Sequence, residues 1–109
     1  MLNKYIAVYI PGTTNVDQPI DQDRQQDIAA GISGQLSKLF GGCTEYKTFG
    51  SWVDGSGNVI REPIIICKSH HNKENKAAWD LVQPIAAGLK KLLAQESITI
   101  ESNYGIDFT

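Results

Sequence analysis

The rhythm of apolar and polar positions changes repeatedly along the chain, and each change marks an element. Residues 3–10 (NKYIAVYI) run with a period of two and are apolar on both parities. Tyr5, Ala7 and Tyr9 fall on one side, and Ile6, Val8 and Ile10 on the other. A strand apolar on both faces belongs at the centre of a sheet. Pro11 and Gly12 end it, and a polar loop runs to Pro19. Asp21 is a good N-cap, with Asp23 in the first turn behind it. From there Ile28, Ile32, Leu36, Leu39 and Phe40 recur at spacings of three and four, which predicts a helix that Gly41-Gly42 stops. Gly31 and Gly34 inside it read as points of close backbone approach.

Residues 43–53 and 59–68 return to strand composition, and Asp54-Gly55-Ser56-Gly57-Asn58 between them is a hairpin turn. The alternation slips between Phe49 and Trp52, which predicts a bulge at Gly50. Ile64-Ile65-Ile66-Cys67 is apolar without alternation and so buried on both faces. Pro63 has no N–H for a ladder, so it belongs where the hairpin projects beyond the sheet or where pairing breaks. Ser69-His70-His71-Asn72 leads into a second helix, with Ser69 or Asn72 as its cap. Its apolar face runs through Ala78, Leu81, Val82, Ile85, Ala86, Leu89, Leu92 and Leu93, and Pro84 predicts a kink near Asp80. Residues 97–101 form a fourth strand, and Ile106 and Phe108 alternate again as a short fifth strand or packed extension.

The order strand, helix, strand, strand, helix, strand predicts an α+β, ferredoxin-like βαββαβ sandwich as a single domain over residues 1–109. One antiparallel sheet carries two helices on one face, with the first and third strands central. The other face is left bare and partly apolar, and such a face is sheltered by copies of the same chain or by a ligand.

Composition narrows the function. The 109 residues are 41% hydrophobic and 20% charged, which suits one globular domain. A net charge of −2 and a pI near 5.6, with no basic recognition helix, argue against DNA as a partner. No apolar run approaches the ~20 residues that cross a bilayer, and the start lacks the apolar segment of a signal peptide. The expected location is the cytoplasm, that of the host if the source is viral. The thiols of Cys43 and Cys67 are then expected to be reduced and unpaired.

Gly41-Gly42-Cys43-Thr44, Gly50-Ser51-Trp52, the return Gly57-Asn58-Val59-Ile60-Arg61-Glu62-Pro63 and Gln95-Glu96-Ser97-Ile98 form a set. It resembles a group of short uncharacterised proteins from bacteria and their phages, in which GGxT precedes a GxW strand and a Gln-Glu-Ser segment opens the last strand. Cys43 and Pro63 depart from that pattern. The resemblance implies the fold and a phage-type setting, and it carries over no catalytic residue.

Several constellations fall away on inspection. Pro11-Gly12-Thr13-Thr14-Asn15 lacks the spacing and lysine of a P-loop. Asp17, Asp21, Asp23 and Asp27 lack the Gly and Glu of a calcium loop, since those positions are Gln26 and Ile32. Neither metal nor cofactor is expected. The hairpin is the most suggestive stretch. Tyr46 and Trp52 share a parity and offer flat faces, Lys47 and Arg61 bring positive charge, and His70 lies at the far end of the third strand.

The expected function is therefore a non-enzymatic, homo-oligomeric module that binds a small anionic ligand through Tyr46, Lys47, Trp52, Arg61 and His70. A nucleotide leads the candidates, in a phage anti-defence protein that sequesters a host nucleotide signal. One alternative is a small phosphodiesterase-type enzyme with His70 or His71 and Glu62 as acid and base. Another is a protein-binding module that docks through the bare sheet face.

Overall fold

The computed structural model describes residues 1–109. Strand β1 (Lys4–Ile10) is followed by two short strands, β2 (Thr13–Thr14) and β3 (Gln18–Pro19), that pair with each other in the first connection. Helix α1 (Gln22–Phe40), the hairpin strands β4 (Thr44–Val53) and β5 (Val59–His71), helix α2 (Asn75–Leu92), β6 (Thr99–Ser102) and β7 (Gly105–Phe108) complete the chain. The main sheet has the order β4-β5-β1-β6-β7, antiparallel throughout. This is the ferredoxin-like arrangement, with the first and third long strands central and a fifth strand added beside β6.

Register assigns the faces. Val8 stands opposite Cys67 and Ile100, Ile6 opposite Ser69, and Ile10 opposite Ile65. These residues point toward the helices and are buried with Ala29, Ile32 and Leu36 of α1 and Val82, Ile85, Ala86 and Leu89 of α2. Their burial is the main driving force for the fold. Asp21 caps α1, its carboxylate accepting from the Asp23 N–H at 2.7 Å, and Gly41 closes the helix at φ +93°. The hairpin turn is organised by Asp54, whose carboxylate accepts from the N–H groups of Ser56 and Asn58 and is thereby held below the usual carboxylate range.

Five local expectations need correction. Strand β5 runs to His71, so His70 and His71 are strand residues, with His71 turned to the core and His70 to the open face. Their alternation continues that of Cys67 and Ser69, and their partners are Tyr5 and Lys4 of β1. Helix α2 is preceded by Glu74, which makes no capping bond; Asn72 instead donates to the Met1 carbonyl and accepts from the Asn3 N–H. Gly50 is not a bulge, because the β4–β5 ladder runs unbroken from Thr44↔Lys68 to Val53↔Val59. A Cβ there would lie 3.1 Å from Ile64 Cγ1, so the glycine makes room across the strands. Gly31 and Gly34 approach nothing: a Cβ on either meets no atom within 4 Å. The apolar face of α2, which runs unbroken from Asn75 to Leu92 with Pro84 inside it, is narrower than the pattern predicts, since Leu81 and Leu92 stay exposed.

Strand β1 stops at Ile10, opposite Ile65, while β5 continues back to Val59. The hairpin therefore overhangs the sheet, and Pro63 sits on the overhang. Gln25 of α1, 3% exposed, closes the junction: its amide Nε2 donates to the carbonyls of Ile10 at 3.2 Å and Pro63 at 2.9 Å. Gly12 passes so close that a Cβ would fall 2.3 Å from the Pro63 carbonyl oxygen. Gly12→Ala should lower stability by about 1–3 kcal/mol, the usual cost of forced overpacking. Gly31→Ala, in the open on α1, should raise it by about 0.5–1 kcal/mol. Urea midpoints of the two variants against the parent measure both, and equal effects at the two positions would contradict the packing described.

Candidate functional site

The sheet face away from the helices bears Tyr5, Ala7 and Tyr9 from β1, with Tyr46 and Trp52 from β4. Ile60, Glu62, Ile64, Ile66, Lys68 and His70 follow from β5, and Glu101, Ile106 and Phe108 from β6 and β7. At its centre the Glu101 carboxylate accepts from both tyrosine hydroxyls, from Tyr9 at 2.5 Å and from Tyr5 at 2.7 Å. Lys68 lies 4.1 Å from the centre of the Tyr5 ring. The hydroxyls of Tyr9 and Tyr5, with help from Lys68, hold Glu101 below its ordinary range. Burial and the bond to Glu101 push Tyr9 up to about 12, and the same bond raises Tyr5.

The five residues expected to form one site are divided. Tyr46, Trp52 and His70 are on the open face, whereas Lys47 and Arg61 point to the opposite side, where the Arg61 guanidinium lies 4.5 Å from the Phe49 ring centre. Even on the open face the three are spread out. Six residues separate Tyr46 from Trp52 on one strand, roughly 20 Å at strand rise, so they cannot clasp one ring between them. The acid–base pair fares no better. Glu62 and His70 are eight residues apart on β5, roughly 26 Å. His71 is on the other face, where its ring lies 5.1 Å from Phe40 and its Nδ1 accepts from the Lys73 N–H. Burial, reinforced by Lys4 and Lys73, lowers the His71 pKa and keeps it neutral. Within one chain no histidine meets Glu62.

Trp52 instead lines a hollow of about 310 Å³ at the overhanging end of the open face, with Val16, Glu62, Gln95, Glu96, Ser97, Thr99 and Phe108. The side chains are well anchored. Glu62 Oε2 accepts from the Gly12 N–H at 3.2 Å, and Gln95 Nε2 donates to the Thr13 carbonyl at 2.9 Å. Phe108 is positioned by β7 and by the reciprocal backbone bonds of Ile98 and Thr109 that follow it. The turn that brings Val16 to the wall has Asn15 at φ +48° and Val16 at φ +76°. A β-branched residue there is strained by about 1–3 kcal/mol. The turn is held by the Leu93 carbonyl, which accepts from the Asn15 N–H and the Thr14 hydroxyl.

The lining carries two carboxylates, Glu62 and Glu96, and no lysine or arginine. Such a wall attracts cations and hydrogen-bond donors rather than anions. In the sequence Gln95-Glu96-Ser97 stands out only as a motif, Phe108 only as part of a short terminal strand, and Val16 not at all. Glu101 was legible in principle, since it is a charged residue of open-face parity on the strand beside β1. The cysteines take no part. Both are free, and burial pushes the Cys67 thiol up to about 12, with Cys43 and Glu45 adding to it.

No protein-family model and no curated protein sequence matches the chain. Solved structures do. A phage SAM lyase in complex with S-methyl-5'-thioadenosine superposes with a TM-score of 0.74 over 97% of this chain and 88% of that one, at 12% identity. A phage SAM lyase in its apo state superposes at 0.71 over 98% and 88%, at 11% identity. The ferredoxin-like fold is thus shared with phage proteins across nearly the whole length.

The Tyr–Glu–Tyr cluster gives two pH windows. The stabilisation from Glu101 is full above the unfolded carboxylate value of about 4.3 and is lost as pH falls below it toward the depressed folded value. That from Tyr9 is full below the unfolded phenol value of about 10. It is lost as pH rises toward the folded value of about 12. Ultraviolet titration of phenolate should find Tyr9 ionising late in the parent protein and earlier in Glu101→Gln. Identical titrations would show that the cluster does not form.

Proposed function

We propose that this chain binds a sulfonium nucleoside of the S-adenosylmethionine type in the hollow walled by Trp52 and Glu62, as a phage anti-defence protein that removes a host nucleoside from use. The observation that carries the reading is the pairing of two carboxylates with an aromatic face at one small hollow. A sulfonium is a permanent cation. Glu62 and Glu96 supply opposite charge, and the Trp52 ring supplies a quadrupole that attracts cations and a surface on which adenine can stack. A fold shared with phage SAM lyase, one of whose structures holds S-methyl-5'-thioadenosine, supports the same ligand class.

This reading replaces the expectation of an anionic ligand, which Glu62 and Glu96 would repel. It also leaves room for chemistry. If the bond between the sulfonium sulfur and the aminobutyrate chain breaks, its electron pair goes to sulfur while an oxygen of the ligand's own carboxylate bonds to the carbon it leaves, closing a lactone. The product is the neutral thioether S-methyl-5'-thioadenosine, and the positive charge opposite the carboxylates disappears. Glu62 has one oxygen tied to Gly12, and the other makes no bond within the chain. That second oxygen orients the sulfonium.

Calorimetry with S-adenosylmethionine and with S-methyl-5'-thioadenosine tests the site. Both should bind, and Trp52→Ala should weaken both. Glu62→Gln should weaken the charged ligand by about tenfold, equivalent to ~1.4 kcal/mol, and the neutral thioether by much less. Failure of both to bind below about 1 mM would overturn the proposal. Chromatography of the incubated sulfonium then separates a lyase, which yields the thioether, from a module that returns it intact.

The open face supports assembly with copies of the same chain. Tyr46, Ile106 and Phe108 are exposed on it, and Ile60, Ile64 and Ile66 are only partly covered. Light scattering after size exclusion should give a closed oligomer, which Ile66→Lys should dissociate because Ile66 lies between Tyr9 and Tyr46. A monomeric parent protein would reject self-assembly and leave that face to a different protein.

A further inference from the structure

The overhang has a second side. Facing the helices, between the first turns of α1 and the hairpin, lies a cleft of about 220 Å³ lined by Gln22, Gln25, Gln26, Lys47, Phe49 and Pro63, among others. It is separated by the thickness of the sheet from the hollow at Trp52, and none of its lining residues is shared with that hollow.

Gln25 makes this cleft more than a surface depression. Its side chain is 3% exposed, and its amide group faces two carbonyl oxygens, those of Ile10 and Pro63. Carbonyls only accept, so the atom turned to them is the NH2 group, and the Oε1 on the other side is fixed by elimination. Oε1 receives no hydrogen bond from any donor in the chain. A rotationally locked acceptor, open to solvent and without a partner in the chain, is thus presented at a cleft. Beside it stands Phe49, 59% exposed for all its size, with Arg61 4.5 Å from its ring centre. Lys47, two residues away on the same side of β4, is exposed.

We propose that this cleft is a second binding site, for a nucleoside monophosphate whose base carries an exocyclic amine. The acceptor at Gln25 favours a ligand that brings an N–H donor. The Phe49 ring requires a flat partner. Lys47 and Arg61 supply the charge that a phosphate needs, which the hollow at Trp52 lacks. The volume falls below the ~300–1,000 Å³ of sites that enclose whole drug-sized ligands, so the base enters and the sugar and phosphate stay at the rim. Lys47 and Arg61, displaced from Trp52 by strand parity, thereby gain a role on their own face.

Titration of 15N-labelled protein with AMP, followed by amide chemical shifts, tests the site. The Gln25 side-chain NH2 pair and the backbone amides of Lys47 and Phe49 should move together. N6,N6-dimethyl-AMP, which keeps the ring and phosphate but has no N–H to offer, should bind about tenfold more weakly. Phe49→Ala, a surface change that leaves the core intact, should abolish saturation. Lys47→Ala should weaken AMP but leave adenosine unchanged. Trp52→Ala should leave AMP binding untouched, which keeps this site distinct from the proposed sulfonium site. No shift at Gln25 and Phe49 up to about 10 mM AMP would overturn the proposal, as would equal binding of the dimethyl analogue.

Discussion

A strand that loses its neighbour must find other partners for its backbone, and β5 loses β1 beyond Ile65. The carbonyls left at that junction, on Ile10 and Pro63, would be expensive to bury unpaired. One side chain, Gln25, satisfies both from helix α1. The rest of the functional architecture follows from that repair. Gly12 is squeezed against Pro63 as the chain leaves β1, and its N–H is left to hold Glu62. The hairpin continues past the sheet with one neighbour instead of two. That leaves a recess on each side of it, one acidic and walled by Trp52, the other amide-lined and flanked by Phe49.

The two sides of the sheet are stabilised by different physics. Toward the helices, aliphatic side chains bury one another, and the only large titratable group among them, His71, is kept neutral. Away from the helices, the central strand carries Tyr5 and Tyr9, and the charge on Glu101 is tolerated because two hydroxyls and a nearby ammonium surround it. The network ties β1 to β6 across the open face, with Lys68 of β5 beside it.

Architecture was legible because it rests on periodicity. The doubly apolar β1, the Asp21 cap, the Gly41 stop and the strong turn at Asp54 are local signals, and each survives in the fold. The site was less legible because it depends on registers that no single strand reveals. Lys47 and Arg61 look adjacent to Trp52 in sequence, yet an offset of one parity sends them through the sheet. Gly50 looked like a bulge because Phe49 and Trp52 are both large, but they serve opposite faces in an unbroken ladder. His70 and His71 looked like a loop because they are polar. In the fold they extend β5 by pairing with Tyr5 and Lys4. Gln25 gave no signal at all, since a glutamine on a helix is ordinarily solvated.

The turn at Val16 has a further consequence. Glycine or asparagine would occupy that left-handed backbone with less strain, so heat tolerance alone would favour losing the valine. Val16, however, lines the recess together with Glu96 and Phe108. A library screened only for survival at high temperature would therefore drift toward sturdier proteins with a gap in the recess. Selection that also demands ligand retention would hold this position against its own conformational preference.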